Sequence, residues 1–425
     1  MRMLYFVRER YPTHRVDVEE LFAREIVRRG HRIDLVMQAA SGAEPVGRAD
    51  WHGCAVFVGP TDDGDGALAR LHRQWLGLRH DWRTLRRVRT GDYDAIQVRD
   101  KYLLAALALR VARRRGLPFY FWMSFPEAEA QFLRVKEGTA RYAPLTWIRA
   151  TAFWWLLYRY VMPRARHVFV QSDQMKRDVV RNGIPADRLT AVPMGIPAAD
   201  LLKFDAIRAR RGSAPEPQDR PFTVVYLGTL VARRQLVILV DMLAELRRRG
   251  LDCRLLCVGD GERPADRARL LERAASLGVA DRLEITGFMP RDQALLRTLE
   301  ADVAVSPFFP TPVLNSTSPT KLVEYLALGI PVVANDHPEQ RLVLRSSRAG
   351  VLVPWGARHF ARAIDWLSAL GSTRRREMGE RGRHWVTEHR TYQRIADGVE
   401  ARYRETLPSP GPDRFKAAGH PPSRG

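Results

Sequence analysis

Residues 316–324 read Ser-Thr-Ser-Pro-Thr-Lys-Leu-Val-Glu, a run of small hydroxyls and one lysine leading to one carboxylate. Ser316, Ser318 and Thr320, with Pro319 between them, stand where a loop becomes a helix, and the first N–H groups of a helix lack intrahelical partners and suit an anion such as phosphate. Lys321 adds a positive point charge. Glu324, in the next turn, can accept two hydrogen bonds from a diol such as a ribose. The set fits a nucleoside diphosphate. The same residues also suit a structural role, in which Ser and Thr cap the helix, Lys321 is solvated and Glu324 pairs with an arginine.

A second cluster follows a predicted strand over Thr223–Tyr226: Gly228, Thr229, then Arg233 and Arg234 beside a helix start at Leu236. A glycine at a strand exit lets a ligand approach the backbone, and two arginines there can hold a diphosphate bidentately. An exposed basic turn would read the same way. The elements that must position the first cluster are equally legible. Val303–Val305 reads as a buried parallel strand stopped at Ser306-Pro307, residues 308–319 as a polar loop, and Thr320 as the start of a helix with Leu322, Val323, Leu326 and Leu328 on its apolar side. Gly329 closes that helix before the strand Pro331–Ala334. Open α/β sheets bind ligands beyond the carboxyl ends of such strands.

The segment SPTKLVEYLALGIPVVAND resembles the donor-site segment of the family-four retaining glycosyltransferases of the GT-B fold, in the form S-P-x-K-h-x-E-Y-h-A-x-G-x-P-V-V-A. The resemblance extends over nearly the whole chain. It implies two Rossmann-like α/β domains whose parallel sheets face an interdomain cleft, with a C-terminal helix crossing back to the first domain. It implies a retaining, metal-independent hexosyltransferase with no cofactor beyond its nucleotide-sugar co-substrate. Arg234, Lys321 and Glu324 then serve catalysis, and Gly228, Thr229, Arg233, Phe288, Met289, Ser316, Ser318, Pro319 and Thr320 join them in holding the donor. Members usually carry two glutamates separated by seven residues; Glu324 matches the second, which binds the ribose, and Ser316 stands where the first would be. Thr229 likewise replaces a common arginine, leaving the charge to Arg233 and Arg234. Phe288 and Met289 provide an apolar wall near the nucleobase, or else are core.

In chain order, strand Met3–Val7, a loop Arg8–Arg15, a helix and strand Arg32–Met37 form a β-α-β opening without G-x-G-x-x-G, which argues against a dinucleotide site there. By resemblance that loop faces the acceptor, making Arg10, Tyr11 and His14 acceptor-side candidates; a loop histidine also reads as simply solvated. Leu68–Val88 is a basic helical stretch. The strand Asp94–Val98 ends at Arg99-Asp100, and Pro118–Trp122 ends before Ser124, Glu127 and Glu129. Arg99, Ser124 and Glu127 complete the acceptor side. Many relatives have a histidine or aspartate near Ser124; Glu127 or Glu129 is a substitute base, or Glu127 only favours a helix dipole. Residues 144–163 crowd aromatics between arginines. Too interrupted to span a bilayer, the stretch either packs inside the first domain, as a family helix does there, or lies on an anionic membrane. Expected boundaries are a first domain over 1–197, a polar linker over 198–220, a nucleotide-sugar domain over 221–385, a returning helix over 386–406 and a disordered tail over 407–425. Helices Ala357–Leu370 and Arg374–Arg404 close the fold.

The 425 residues are too many for one ordinary core. Apolar and charged fractions of 45% and 28% describe a globular chain, and 69 basic against 48 acidic residues leave +21, which points to an anionic partner. The arginines are scattered along helix faces, against a nucleic-acid binder. Cys54, Cys253 and Cys257 form no metal set and read as reduced buried thiols, and the N-terminus reads as a first strand, so a cytoplasmic protein is expected, peripheral at the inner membrane face. The expected function is sugar transfer to a lipid-linked or cell-envelope glycan; a non-catalytic GT-B scaffold is the alternative.

Overall fold

A computed structural model of the chain describes residues 1–13, 15–212 and 220–407. His14, most of the proline-bearing end of the expected linker and residues 408–425 of the expected tail lie outside them.

Short runs of β-branched and aromatic residues, such as Phe119–Met123 with every side chain buried, form parallel strands covered on both faces. The first sheet takes β1 (Arg2–Tyr11), β2 (Arg32–Ala39), β3 (Gly47–Trp51), β4 (Cys54–Gly59), β5 (Ala95–Arg99), β6 (Phe119–Met123), β7 (His167–Val170) and β8 (Leu189–Ala191) in the order 3-4-2-1-5-6-7-8. Only β3 runs antiparallel to its neighbour. The second sheet is wholly parallel, β9 (Phe222–Leu227), β10 (Cys253–Val258), β11 (Leu283–Ile285), β12 (Val303–Ser306), β13 (Val332–Asn335) and β14 (Gly350–Val353) in the order 11-10-9-12-13-14. This is the expected two-domain α/β architecture.

Three segments differ from the sequence reading. Arg10 and Tyr11 belong to β1, which runs on through an irregularity after Phe6, because backbone pairing with Gln38 and Ala39 continues there. The segment after residue 197 is not an irregular polar linker at its start: Ala198–Gly212 is a helix that buries Leu201 and Phe204 against the second domain's core. The final helical stretch is two helices, Ser372–His389 and Tyr392–Thr406. Thr391 caps the second of these, and the backbone of Arg390 and Tyr392 pairs with Ile196 at the domain crossing.

The last helix returns to the first domain. Glu400 meets Arg29 at 3.0 Å and His31 at 2.8 Å, and Tyr403 reaches Gln97 at 2.5 Å. The domains also touch across the cleft: Ser172 Oγ donates to the carbonyl of Ser316 at 2.7 Å, and the N–H of Met194 donates to Ser318 Oγ at 2.9 Å.

Candidate active site

The helix Thr320–Ala327 is fixed against the exit of β9 by Tyr325, whose buried hydroxyl accepts from the N–H of Leu227 at 2.7 Å. One turn earlier on the same face, Lys321 lies beside Gly228, since residues four apart on a helix are neighbours. Gly228 has φ +130°, and a Cβ there would fall 2.3 Å from Lys321 Cε and 3.4 Å from Arg234 Nη1. Arg234 is held in turn: its Nη1 donates to Tyr226 Oη and to the carbonyl of Thr229, both at 3.0 Å. Lys321 Nζ sits 5.7 Å from the centre of the Tyr226 ring. Two cations therefore meet at one strand exit without a carboxylate salt bridge to either among the described residues. Burial, then the charge of Arg234, pushes the Lys321 ammonium down to about 7, with Glu324 opposing.

Glu324, on the next part of that helix, accepts from Arg291 at 3.3 Å, and Arg291 also meets the buried Asp200 at 2.6 Å. The carboxylate thus has the arginine partner that the structural alternative foresaw. Burial raises its pKa, while Arg291 and Lys321 hold it down. The loop before the helix is braced from β13: Asn335 bonds both the N–H and the carbonyl of Phe308, and His337 Nε2 lies 2.9 Å from the carbonyl of Leu314. Burial takes that histidine down to about 4, so it is neutral at pH 7.

Two family profiles match the chain: "Glycosyl transferase 4-like domain" over residues 17–195 and "Glycosyl transferases group 1" over 221–369. The chain has the two-domain GT-B fold, and each domain matches a glycosyltransferase model. It is similar to sucrose-phosphate synthase from Thermosynechococcus elongatus, at 16% identity and a TM-score of 0.72, over 95% of this chain and 99% of that one. It is also similar to HepE from Anabaena in complex with UDP, at 15% identity and a TM-score of 0.65, over 95% and 100% of the two chains. Among curated relatives, an alpha-D-kanosaminyltransferase from Streptomyces kanamyceticus is 26% identical over 46% of this chain and 49% of its own. The chain spans about half the length of the curated relatives it matches.

Other expected donor residues are placed differently. Ser316 is buried, its hydroxyl donating to Asp178 of the first domain, and Ser318 Oγ accepts from the N–H of Met194, so both side chains join the domains. Pro319 precedes the helix at its capping position, and Thr320 is its first residue. Arg233 stands exposed, 3.5 Å from Glu262. Phe288 is 67% exposed, whereas Met289 packs against the core, so they do not form one wall.

On the first domain, Ser124 follows the end of β6 and Glu127 opens the helix Glu127–Lys136. Arg99 does not join an acceptor surface. It is fully buried under Trp122, with Nη2 2.8 Å from Asp17 and Nε 3.3 Å from Glu9, because a guanidinium at that depth needs carboxylate partners. Arg10 instead donates to the carbonyl of Ala40 at 3.3 Å, and Tyr11 packs edge-on against Trp51. Both lean toward β2 and β3, away from Ser124. Glu127 pairs with Arg8 at 3.6 Å and Arg134 at 3.2 Å.

Asp100, Arg291 and Asp200 were missed by sequence reasoning. Asp100 takes φ +52°, a conformation Asp tolerates better than most residues, and accepts from both the N–H and the hydroxyl of Ser124. Burial raises its carboxyl. The strand end at Arg99-Asp100 was the available signal. Arg291 and Asp200 carry no local motif. Among the described residues no group of three His, Cys, Asp or Glu side chains is arranged for a metal ion.

Proposed function

We propose that this protein is a retaining glycosyltransferase that moves a sugar from a nucleotide-diphosphate donor to a lipid-linked or cell-envelope acceptor at the cytoplasmic membrane face, without a bound metal. The meeting of Lys321 and Arg234 at Gly228 carries the reading: two cations with no carboxylate salt bridge among the described residues, at a strand exit that only glycine leaves open, match a diphosphate. As the glycosidic bond breaks, charge grows on the leaving phosphate, and these two groups with the N–H groups at the start of Thr320–Ala327 offset it. Glu324, steadied by Arg291, receives the ribose hydroxyls. The domain contacts through Ser172, Ser316, Met194 and Ser318 describe a closed cleft, which keeps water from an oxocarbenium-like centre. UDP in the HepE complex supports the donor class.

Two helices of the first domain support the membrane face. Residues 144–163 do not pack uniformly: Leu157, Tyr158 and Val161 enter the core, while the preceding helix Ala143–Trp155 exposes Leu145, Ile148 and Trp155. The helix Gly66–Arg87 exposes Leu68, Leu71, Trp75 and Leu78 at helical spacing, and its sole acidic residue, Asp81, is buried against Lys101. Apolar stripes among exposed arginines suit an anionic lipid surface. No helix among the described residues is long and apolar enough to cross a membrane.

The test is incubation of the full chain with UDP- and GDP-sugars, first without acceptor and then with lipid-linked saccharides, following the product's anomeric configuration by NMR. Slow donor hydrolysis and transfer with retention support the reading. No turnover of any donor favours the scaffold, and inversion contradicts the mechanism.

A further inference from the structure

Arg291, the first residue of the helix Arg291–Thr298, sends its two terminal nitrogens to different carboxylates. Nη1 donates to Asp200 Oδ2 at 2.6 Å, and Nη2 donates to Glu324 Oε1 at 3.3 Å. A guanidinium with one carboxylate to itself takes both oxygens, as Arg341 does with Asp336, each bond being 2.6 Å. Here the shorter bond goes to Asp200, and Glu324 keeps one long bond. Its Oε2 has no hydrogen-bond partner among the described residues and is not sealed from solvent, the side chain being 13% exposed. Asp200 is buried in the first turn of the helix Ala198–Gly212, just after Ile196, where the chain crosses between the domains. The same helix meets the start of Arg291–Thr298 a second time, Lys203 lying 3.5 Å from Asp292, but both of those side chains are more than half exposed and such a pair contributes little. Asp200 is the buried acid that links the crossing to Arg291.

Resting on the reading that Glu324 receives the ribose, we propose that Asp200 is a positioning residue of the donor site: by drawing Arg291 to itself it leaves Glu324 Oε2 for a ribose hydroxyl. Without Asp200 the guanidinium turns fully onto Glu324 and takes both of its oxygens, and a ribose then competes with a charge-assisted pair. The effect falls on the sugar of the nucleotide, because a carboxylate gains nothing from phosphate, and a 2′-hydroxyl donates a hydrogen bond that a deoxyribose lacks. An Asp200 that only favours the N-terminal dipole of its own helix treats the two sugars alike.

The experiment titrates UDP and 2′-deoxy-UDP into the full chain by calorimetry. Wild type is expected to prefer UDP by roughly fivefold or more. Asp200→Ala is expected to bring that preference below about twofold by weakening UDP while the affinity for 2′-deoxy-UDP stays within about twofold, and Asp200→Asn, which keeps an acceptor for Arg291, to fall between. Because Asp200 acts through Arg291, Arg291→Ala and the double variant Asp200→Ala, Arg291→Ala are expected to keep the wild-type preference, whatever their absolute affinities. A preference unchanged in both single Asp200 variants, an equal loss for the two nucleotides, or a preference lost in the double variant as well overturns the proposal and leaves the ribose reading of Glu324 standing. A wild type that binds the two nucleotides equally overturns that reading and the proposal with it.

Discussion

Gly228 and Lys321 cannot both carry a full side chain at their present positions: a Cβ on Gly228 would lie 2.3 Å from Cε of the lysine and 2.7 Å from its Nζ. The φ of +130° adds backbone strain for any other residue, on the order of 1–3 kcal/mol. Gly228→Ala is therefore expected to displace Lys321, weaken UDP binding more than tenfold and lower the melting temperature of the second domain by a few degrees. Calorimetry and thermal unfolding check both parts. Full UDP affinity in a destabilised variant would separate the glycine's backbone role from any role in the site.

The depressed Lys321 makes donor binding pH-dependent. An anion favours the protonated lysine, so binding raises its pKa from about 7 and takes up a proton. UDP affinity is then full below pH 7 and falls as pH rises, by up to about tenfold per unit until the bound-state pKa is reached. Lys321→Arg, which does not titrate in this range, should flatten the profile. Isothermal titration in buffers of different ionisation enthalpy measures the proton uptake directly; no uptake at pH 8 would contradict the assignment.

Glu324 is expected to read the ribose and not the phosphates. Glu324→Gln should weaken UDP about tenfold, in line with the loss of one charge-assisted hydrogen bond of roughly 1.5 kcal/mol, while inorganic pyrophosphate binds as before. Equal loss for both ligands would assign Glu324 to holding Arg291 and Asp200 in place.

Ser316 occupies the position of the glutamate common in the family, and its hydroxyl reaches Asp178 across the cleft. Ser316→Glu would put two carboxylates there, which repel. The expected outcome is a more open molecule, with a larger radius of gyration by X-ray scattering and little change in UDP affinity. An unchanged radius would mean that the contact does not hold the domains together.

The exposed stripes on Ala143–Trp155 and Gly66–Arg87 predict binding to anionic vesicles that salt weakens. Replacing Leu145, Ile148 and Trp155 by serine, or Leu68, Leu71 and Trp75, should each lower co-sedimentation severalfold without loss of UDP binding. Vesicle binding that ignores both replacements, or that is unaffected by removing anionic lipid, would count against the membrane face.

The strands and the Lys321–Glu324 helix were legible because their determinants are local: buried β-branched runs, a loop rich in Pro and Ser, and a glycine after the last helical turn. Gly228 and Arg234 were legible for the same reason. What the sequence hid depends on distant partners. Ser316 and Ser318 carry hydroxyls fit for a phosphate, yet Ser316 donates to Asp178 and Ser318 accepts from Met194, both of the other domain. Arg99 reads as a strand-end cation, yet Asp17 and Glu9 draw it fully inside. Thr391 is an ordinary polar residue in a helical pattern until the pairing of Ile196 with its neighbours breaks the helix there. Residues 144–163 have aromatic side chains all along, so composition could not show that one half enters the core while the other faces solvent.

Calorimetric titration of UDP into the wild type, Lys321→Ala and Arg234→Ala bears most directly on the claim that a diphosphate is held at the exit of β9. The account predicts a measurable wild-type affinity, a loss of at least tenfold in each variant, and unchanged melting of the unliganded proteins. Equal affinity in all three would contradict it.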